Sequence, residues 1–458
     1  LVEQPTNAAQ HGAPEGGDQV EHYDVIVIGA GAAGLLAAAR SAELGGERGR
    51  RVLCIEKNRK AGVKILISGG TRCNLTHDCD RRGILEAFGS AGPFLHSPLA
   101  ALGPRELVAM FNEAGLPTYV EPDTGKIFPA SDRALDVVRV LVEMVRRSGA
   151  ELSLGEGVIS IERDGEGFSV VTERRTLRAA KLLVAVGGRS YPGCGTTGDG
   201  YAWLERFGHT IRRPRPALVP LTSSEPWIRD LSGIAIPDTL LRVMPRDGVA
   251  PSDTATSSQT VSAKRRRPGA LPPGVLIERR GALLFTHFGL SGPAALDVSR
   301  AVTGAASPQA VRLVADFLPQ STVAELDEQL RAAAAADGRK QMIALVPDTL
   351  PRRLVEALFS QAGLPIERRA AEFGNIDRRK LAEVLKGATL LVSGSRGFEK
   401  AEVTAGGVVL DEVDSRTMES KLVPNLYLAG EILDLDGYIG GYNFQAAFST
   451  GYLAAESM

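Results

Sequence analysis

Residues 23–56 restrict the possible folds more than any other stretch of the chain: YDVIVIGAGAAGLLAAARSAELGGERGRRVLCIE. Residues 25–28 are an unbroken β-branched run, the composition of a parallel strand buried on both faces. Gly29, Gly31 and Gly34 follow at G-x-G-x-x-G spacing, and an Ala/Leu-rich helix is expected from about 33 to 44. Residues 52–55 read as a second strand with Glu56 at its end. Gly29 permits the tight strand-to-helix turn, Gly31 lets a pyrophosphate approach the backbone, and Gly34 lets helix and strand pack closely. At Ala32 and Ala33 the helix begins, and its unpaired N–H groups and positive dipole end suit phosphate. Glu56 lies 22 residues beyond Gly34, the spacing of an acid that binds a ribose 2′-hydroxyl. A carboxylate there opposes a 2′-phosphate and disfavours NADP in this site. A glycine-rich turn without a ligand would need neither the second strand nor the acid. The motif by itself leaves FAD and NAD both open.

A chain of 458 residues exceeds one ordinary core, so two or three domains are expected. The formal net charge of −1 gives no global reason to expect nucleic acid or an anionic membrane as a partner. Four cysteines, Cys54, Cys73, Cys79 and Cys194, are too few for a disulfide scaffold and read as free thiols in a reducing cytoplasm. No run approaches the length of a membrane span. Residues 1–22 are polar and read as a disordered tail. Oligomeric state leaves no mark on the sequence.

After Glu56 comes KNRKAGVKILISGGTRCNLTH, residues 57–77. Lys57 and Lys64 place cations near the nucleotide motif, and residues 64–67 read as a short strand or turn. Ser68, Gly69, Gly70, Thr71, Arg72, Cys73 and Asn74 form a small-residue loop that a flat ligand can approach. In it Arg72 could meet phosphate or a ring carbonyl, and Asn74 a ring edge. The alternative is an ordinary polar loop. Together, IGAGAAGLLAA and KILISGGTRCNLTH resemble the bacterial NAD(P)/FAD-dependent oxidoreductase family that includes aminoacetone oxidase and a flavoprotein of bile-acid operons. Thr71 stands where that family typically has a third glycine. GTTGDGY at 195–201, LFTHFGLSGPAALDVS at 284–299, AEVTAGGVVLDEV at 401–413 and a long C-terminal stretch at 417–454 extend the resemblance over roughly 23–455. It implies FAD as the cofactor, a flavin site built from both chain ends, and NAD(P)H or O2 as the other redox partner.

Residues 104–114 and 133–148 have helical periodicity, and 117–128 reads as a hairpin. Residues 152–161 and 168–172 alternate as half-buried strands around a turn at 164–167, suggesting a small antiparallel sheet. A buried strand at 181–186 ends in Gly187 and Gly188, a second place for close approach to the ligand. Gly193, Gly195 and Gly198 also fit G-x-G-x-x-G. With no helix expected inside that motif and no strand-plus-acid after it, it reads as a loop returning to the flavin, not as a second nucleotide domain. Strands are expected at 218–243 and 274–288. Between them 246–273 is a flexible low-complexity stretch, whose KRRR at 264–267 reads as solvated rather than as a nucleic-acid patch. Residues 322–386 are helical in pattern. Near the C-terminus an apolar strand at 425–429 leads into Gly430 and Glu431, and the Glu431 carboxylate can accept from ribityl hydroxyls. Gly440 and Gly441 then precede a helix starting near Tyr442 and Asn443. Its N-terminus would stabilise negative charge on a reduced flavin.

The expected fold is α/β. A two-part Rossmann-like FAD-binding domain with a small antiparallel sheet occupies 23–214 and 391–458, and an insert with strands and a helical subdomain occupies 215–390. The expected function is an FAD-dependent oxidoreductase that moves a hydride between flavin and a small organic substrate, with NAD(P)H as a transient reductant or O2 as acceptor. A flavin-containing RNA-binding or RNA-modifying protein, or a nucleotide-binding protein without turnover, are the alternatives. His287 is the acid/base candidate by residue type. The competing reading is a histidine that holds its loop. No metal-ligand spacing and no G-x-S-x-G elbow occur.

Overall fold

The computed structural model describes residues 20–46, 49–246 and 271–458. Residues 1–19 of the expected tail and most of the low-complexity stretch, with its KRRR, lie outside the described residues. The first strand, Glu21–Ile28, starts two residues inside the expected tail, because Glu21 and His22 pair with Leu177 and Arg178. This strand runs parallel to Val52–Glu56 on one side and to Thr176–Val184 on the other, and Glu151–Leu154 extends the sheet beyond Val52–Glu56. Val25, Ile26, Val27 and Ile28 are all buried, as a strand covered on both faces requires. The nucleotide helix, Ala32–Glu43, packs against Ala134–Ser148 and the C-terminal helix Tyr442–Ser457. A Cβ at Gly451 would strike the Ala33 backbone, so small residues set how closely those helices approach.

Strand Thr176–Val184 joins the two ends of the chain. Its first half pairs antiparallel with Gly167–Thr172, itself paired with Val158–Asp164, and its second half pairs parallel with Leu426–Leu428. The single strand expected at 152–161 is therefore two. They are separated at Gly155, which has φ +65°, and at the buried Glu156, whose carboxylate accepts from Ser153 (2.5 Å), Thr172 (2.8 Å) and Arg175 (3.1 Å).

A second hydrophobic core lies between Leu221 and Val392. It packs a seven-stranded antiparallel sheet, dominated by Ala235–Pro245, Ile277–Thr286 and Val311–Asp316, against helices Val323–Ala336, Arg352–Gln361 and Asn375–Gly387. Thr322 and Glu325 close a reciprocal capping box at the first of these helices. The chain enters and leaves through an antiparallel ladder of Ile211–Ala217 with Val403–Val408. Ala217, Leu218, Leu296, Val403 and Ala405 form a small third core beside it.

Two further local expectations change. Residues 64–67 are not extended; they belong to the short helix Val63–Ile67, which starts after Gly62 at φ +64°. A helix, Asp199–Arg206, does begin at the second glycine motif, with Gly198 as its N-cap. The strand after it turns away into the antiparallel ladder, so no second βαβ unit forms.

Candidate functional site

A cleft of about 1340 Å³, counted to its open mouth, runs along the carboxyl ends of the parallel strands. It is bounded by the first glycine turn, Glu56–Asn58, Lys64, the 194–199 loop, Glu402–Val403, Gly430–Glu431 and the start of the C-terminal helix. The three glycines of the first motif do three different things. Gly29 has φ +102°, and a Cβ there would sit 2.6 Å from the Ala185 carbonyl oxygen. A Cβ on Gly34 would fall far inside contact with the Gly29 carbonyl. Gly31 has nothing within 4 Å of a built Cβ and faces open space. It is also the N-cap of the nucleotide helix and gives no side-chain cap, so the first-turn N–H groups have no partner from it.

Glu56 stands at the end of its strand. Oε2 accepts from the Ala30 N–H (2.8 Å), and Oε1 accepts from the Asn58 N–H (2.9 Å) and Nδ2 (2.7 Å). Lys57 is committed to the 193–200 loop, with Nζ 2.6 Å from both Thr197 Oγ1 and Asp199 Oδ2. Glu431 is a hub: it accepts from Lys64 Nζ, Ser190 Oγ (2.6 Å) and the Thr404 N–H (2.8 Å). Thr404 Oγ1 in turn accepts from the N–H groups of Arg189 (2.8 Å) and Ser190 (3.1 Å). A Cβ on Gly188 would collide with that hydroxyl. Gly187 and Gly430 both have left-handed backbones and line the cleft.

The 68–74 loop has positive φ at Gly69, Gly70, Thr71 and Cys73. Thr71, at φ +71°, holds a conformation that glycine adopts without penalty. Ser68 Oγ donates to the Ile65 carbonyl, and Cys73 is fully buried. Arg72 turns to the Thr118–Val120/Lys126–Pro129 hairpin, stacking on Phe128 (3.9 Å) and pairing with Glu121 (3.1 Å). Asn74 is buried, and its Oδ1 has no partner. It lies against Gly441, where a Cβ would come within 2.7 Å of that oxygen. His77 Nδ1 is 3.1 Å from the Gly440 carbonyl, and its ring stacks on Tyr442 at 4.7 Å. Asn443 clamps the preceding loop, accepting from the Gly437 N–H (2.8 Å) and donating to its carbonyl (3.1 Å).

His287 is elsewhere. It is exposed on the turn between Ile277–Thr286 and Gly289–Ser291, edge-on to Phe288, and does not line the cleft. Several polar groups near the cleft carried no sequence signal. Ser190 and Thr404 orient Glu431. Asp297, on the insert helix Pro293–Thr303, accepts from the Ile439 N–H at 2.8 Å, and Arg300 of the same helix pairs with Asp436 at 3.1 Å. Burial pushes the carboxyls of Asp297 and Asp436 up to about 6. Glu402 reaches the cleft, and enclosure by protein raises its carboxyl above the usual range. His209 sits between Glu412 (Nδ1, 3.1 Å) and Ser420 (Nε2, 2.9 Å) in a contact resembling a hydrolytic triad. Ser420 Oγ also accepts from the Leu422 and Val423 N–H groups, and both Ser420 and His209 are buried, so this serine is a structural group.

The cleft suits a dinucleotide flavin: an open glycine cradle at an uncapped helix and a carboxylate at the end of the second strand line it, and an unsatisfied buried amide oxygen on Asn74 lies outside its lining, against Gly441. The sequence model of the HI0933-like protein Rossmann domain matches residues 23–457. The chain belongs to that family. Membership makes it an FAD-dependent oxidoreductase with the Rossmann-type α/β fold described above. The chain is 34% identical to the ribosomal RNA dihydrouridine synthase of Escherichia coli K12, covering 96% of this chain and 98% of that protein. It is 31% identical to the same-named protein of Haemophilus influenzae, covering 96% and 99%. It is 28% identical to the 3-dehydro-bile acid delta(4,6)-reductase of Clostridium scindens, covering 94% and 98%. Among the described residues, no helix is long and apolar enough to cross a membrane.

Proposed function

We propose that this protein reduces a carbon–carbon double bond conjugated to a carbonyl, and that its substrate is a uridine in ribosomal RNA. The observation that carries this reading is the near end-to-end 34% identity to a ribosomal RNA dihydrouridine synthase. The bile-acid reductase supports the same chemistry. Dihydrouridine arises by adding two hydrogens across the uracil C5–C6 bond, which is conjugated to the C4 carbonyl. A delta(4,6)-reductase of a 3-oxo steroid acid also acts on double bonds conjugated to a ketone. FAD supplies the hydride for such a reduction. The chain's own residues do the rest. Gly29–Ala33 and the helix behind them receive the pyrophosphate, Glu56 the ribose, and Glu431, steered by Lys64 and Ser190, the ribityl hydroxyls. Asn74, Gly440, Gly441, Tyr442 and the uncapped helix they lead into form the ring end of the site. NAD(P)H is the transient reductant and enters the open cleft, since no second βαβ unit forms among the described residues. This reading departs from the expectation, based on net charge, that nucleic acid is no partner.

Nucleoside mass spectrometry of ribosomal RNA from a strain lacking the gene provides the test. Dihydrouridine should disappear from one ribosomal fragment and return when the gene is restored. An unchanged dihydrouridine content would remove ribosomal RNA as the substrate. Consumption of NAD(P)H with a 4-en-3-one steroid would then favour a small enone.

A further inference from the structure

We propose that Arg279 is the catalytic residue that grips and polarises the carbonyl conjugated to the double bond being reduced. The proposal rests on the reductase reading above for the class of substrate, not for its identity as RNA.

Arg279 lies on the insert strand Ile277–Thr286, and its guanidinium crosses to the 434–442 loop of the flavin-binding unit, stacking on Tyr438 with Cζ 3.0 Å from the ring centroid. The neighbouring arginines of this region are satisfied. Arg280 makes two 2.7 Å bonds to Asp238, Arg242 bonds Glu278 at 2.5 Å, and Arg300 bonds Asp436 at 3.1 Å. Arg279 differs. Its Nε is buried without a hydrogen-bond partner, and its carboxylate neighbour, Asp297, is 3.8 Å away. Asp297 instead directs an oxygen to the Ile439 N–H at 2.8 Å. The buried Nε is costly to leave without an acceptor, and the rest of the guanidinium is held only by this long ion pair with Asp297. Stacking on Tyr438 fixes the plane of the fork, and the Arg279 side chain as a whole stays 27% exposed.

The position suits a carbonyl oxygen. Tyr438 and Tyr442 flank the Gly440–Gly441 turn, against which the unpaired oxygen of Asn74 lies, so Arg279 stands from the insert over the turn that leads into the C-terminal helix, whose Asn443 and Phe444 line the cleft. Addition of hydride to the carbon β to a carbonyl moves the double-bond electron pair toward oxygen, giving an enolate. The two electrons come from flavin reduced by NAD(P)H, and the α carbon then takes a proton from water. Arg279 donates hydrogen bonds to the enolate oxygen throughout and keeps its own protons, as a guanidinium does at neutral pH.

A phenolate mimics that enolate and reports its own binding, because a phenolate stacked on oxidised flavin gives a long-wavelength charge-transfer band. The experiment titrates the FAD-loaded enzyme with 4-chlorophenol and follows that band, the phenol's apparent pKa and the melting temperature. Wild type should develop the band and lower the phenol's pKa. Arg279→Gln should bind at least about tenfold more weakly, Arg279→Lys should fall between, and both should keep FAD affinity and melting temperature. Phenolate binding to R279Q as tight as to wild type overturns the proposal, as does a wild-type enzyme without a band. Loss of the band only in step with FAD loss or a lower melting temperature, in R279Q and R279K alike, overturns it in favour of a clasp between insert and loop. Phenolate capture through Arg279 in an enzyme that leaves ribosomal dihydrouridine unchanged keeps the carbonyl grip and discards the RNA.

Discussion

Gly34 and Gly29 are packed so closely that a methyl group on the first would overlap the carbonyl oxygen of the second. Gly31, between them, faces open cleft. The same motif therefore contains one packing glycine and one ligand-side glycine, and substitution should separate them. Gly34→Ala should destabilise the apoprotein by about 3 kcal/mol or prevent folding, since helix and strand must move apart. Gly31→Ala, at a backbone φ of −87°, should leave the apoprotein's melting temperature unchanged and weaken FAD binding by about tenfold or more, because the added methyl occupies the path of the pyrophosphate. Calorimetry of the two apoproteins and a flavin fluorescence titration measure both effects. Equal melting losses in the two variants would contradict the division.

Glu56 accepts from the glycine turn through Ala30 and from Asn58, and retains lone pairs for a ribose hydroxyl. Glu56→Ala should reduce FAD affinity by about 1–3 kcal/mol, the range for charged hydrogen bonds. Part of this comes from loosening the turn itself. Glu56→Gln keeps the shape and an acceptor oxygen and should lose less. Identical dissociation constants for wild type and E56A would show that the carboxylate does not touch the ribose.

Lys64 and Glu431 join the two chain halves within one ion pair, with side chains only 23% and 18% exposed. Removing either charge strands the other; loss of Glu431 also breaks its bonds from Ser190 and Thr404, and loss of Lys64 its bond to Ser190. Glu431→Ala should cost about 3 kcal/mol, and Lys64→Met a similar amount. The double variant should cost clearly less than the sum, because no charge is left stranded. Additive losses, measured by denaturant unfolding, would mean that the pair is not coupled.

The glycine turn and the acid beside it were legible because their determinants are short-range: Gly29, Gly31, Gly34 and Glu56 are fixed by two strands, one turn and one helix. The C-terminal strand and the helix at Tyr442 were legible for the same reason. Asp297 gave no signal, since its partner Ile439 is 142 residues away and the pair exists only once the insert folds back. Arg279 looked like its neighbour Arg280, and only the packing separates a satisfied surface arginine from an under-bonded one. Lys64 reads as part of a strand or turn because five residues of helix are too few for periodicity to show. The helix after Gly198 leaves little sequence signal because it is only eight residues long and its apolar face is short. His287 stood out by residue type alone, and its position on an exposed turn follows from a hairpin register that composition does not encode.

His209 provides a test through pH. Burial lowers its pKa below the ordinary 6.5, and the hydrogen bond and charge of Glu412 only partly oppose this. The ring is thus held neutral in the fold: Ser420 donates to Nε2, and Nδ1–H donates to Glu412. Below pH 6.5 the unfolded chain takes up a proton that the folded ring resists, so this residue's contribution is present above 6.5 and is lost as pH falls through that value toward the lowered folded pKa. Asp297 and Asp436 act with the opposite sign. Their carboxyls are raised to about 6, so protonation below that value favours the fold. The histidine's effect must therefore be read as a difference. His209→Gln should be less stable than wild type at pH 8 by about 2 kcal/mol, for a buried hydrogen-bond network disrupted at one end. That gap should narrow as pH drops from 7 to 5, because the variant has no ring to protonate. Chemical denaturation of both proteins across that range measures it; a gap that widens toward acid would mean that the folded ring binds its proton more tightly than the unfolded one, and a constant gap that folding does not lower its pKa.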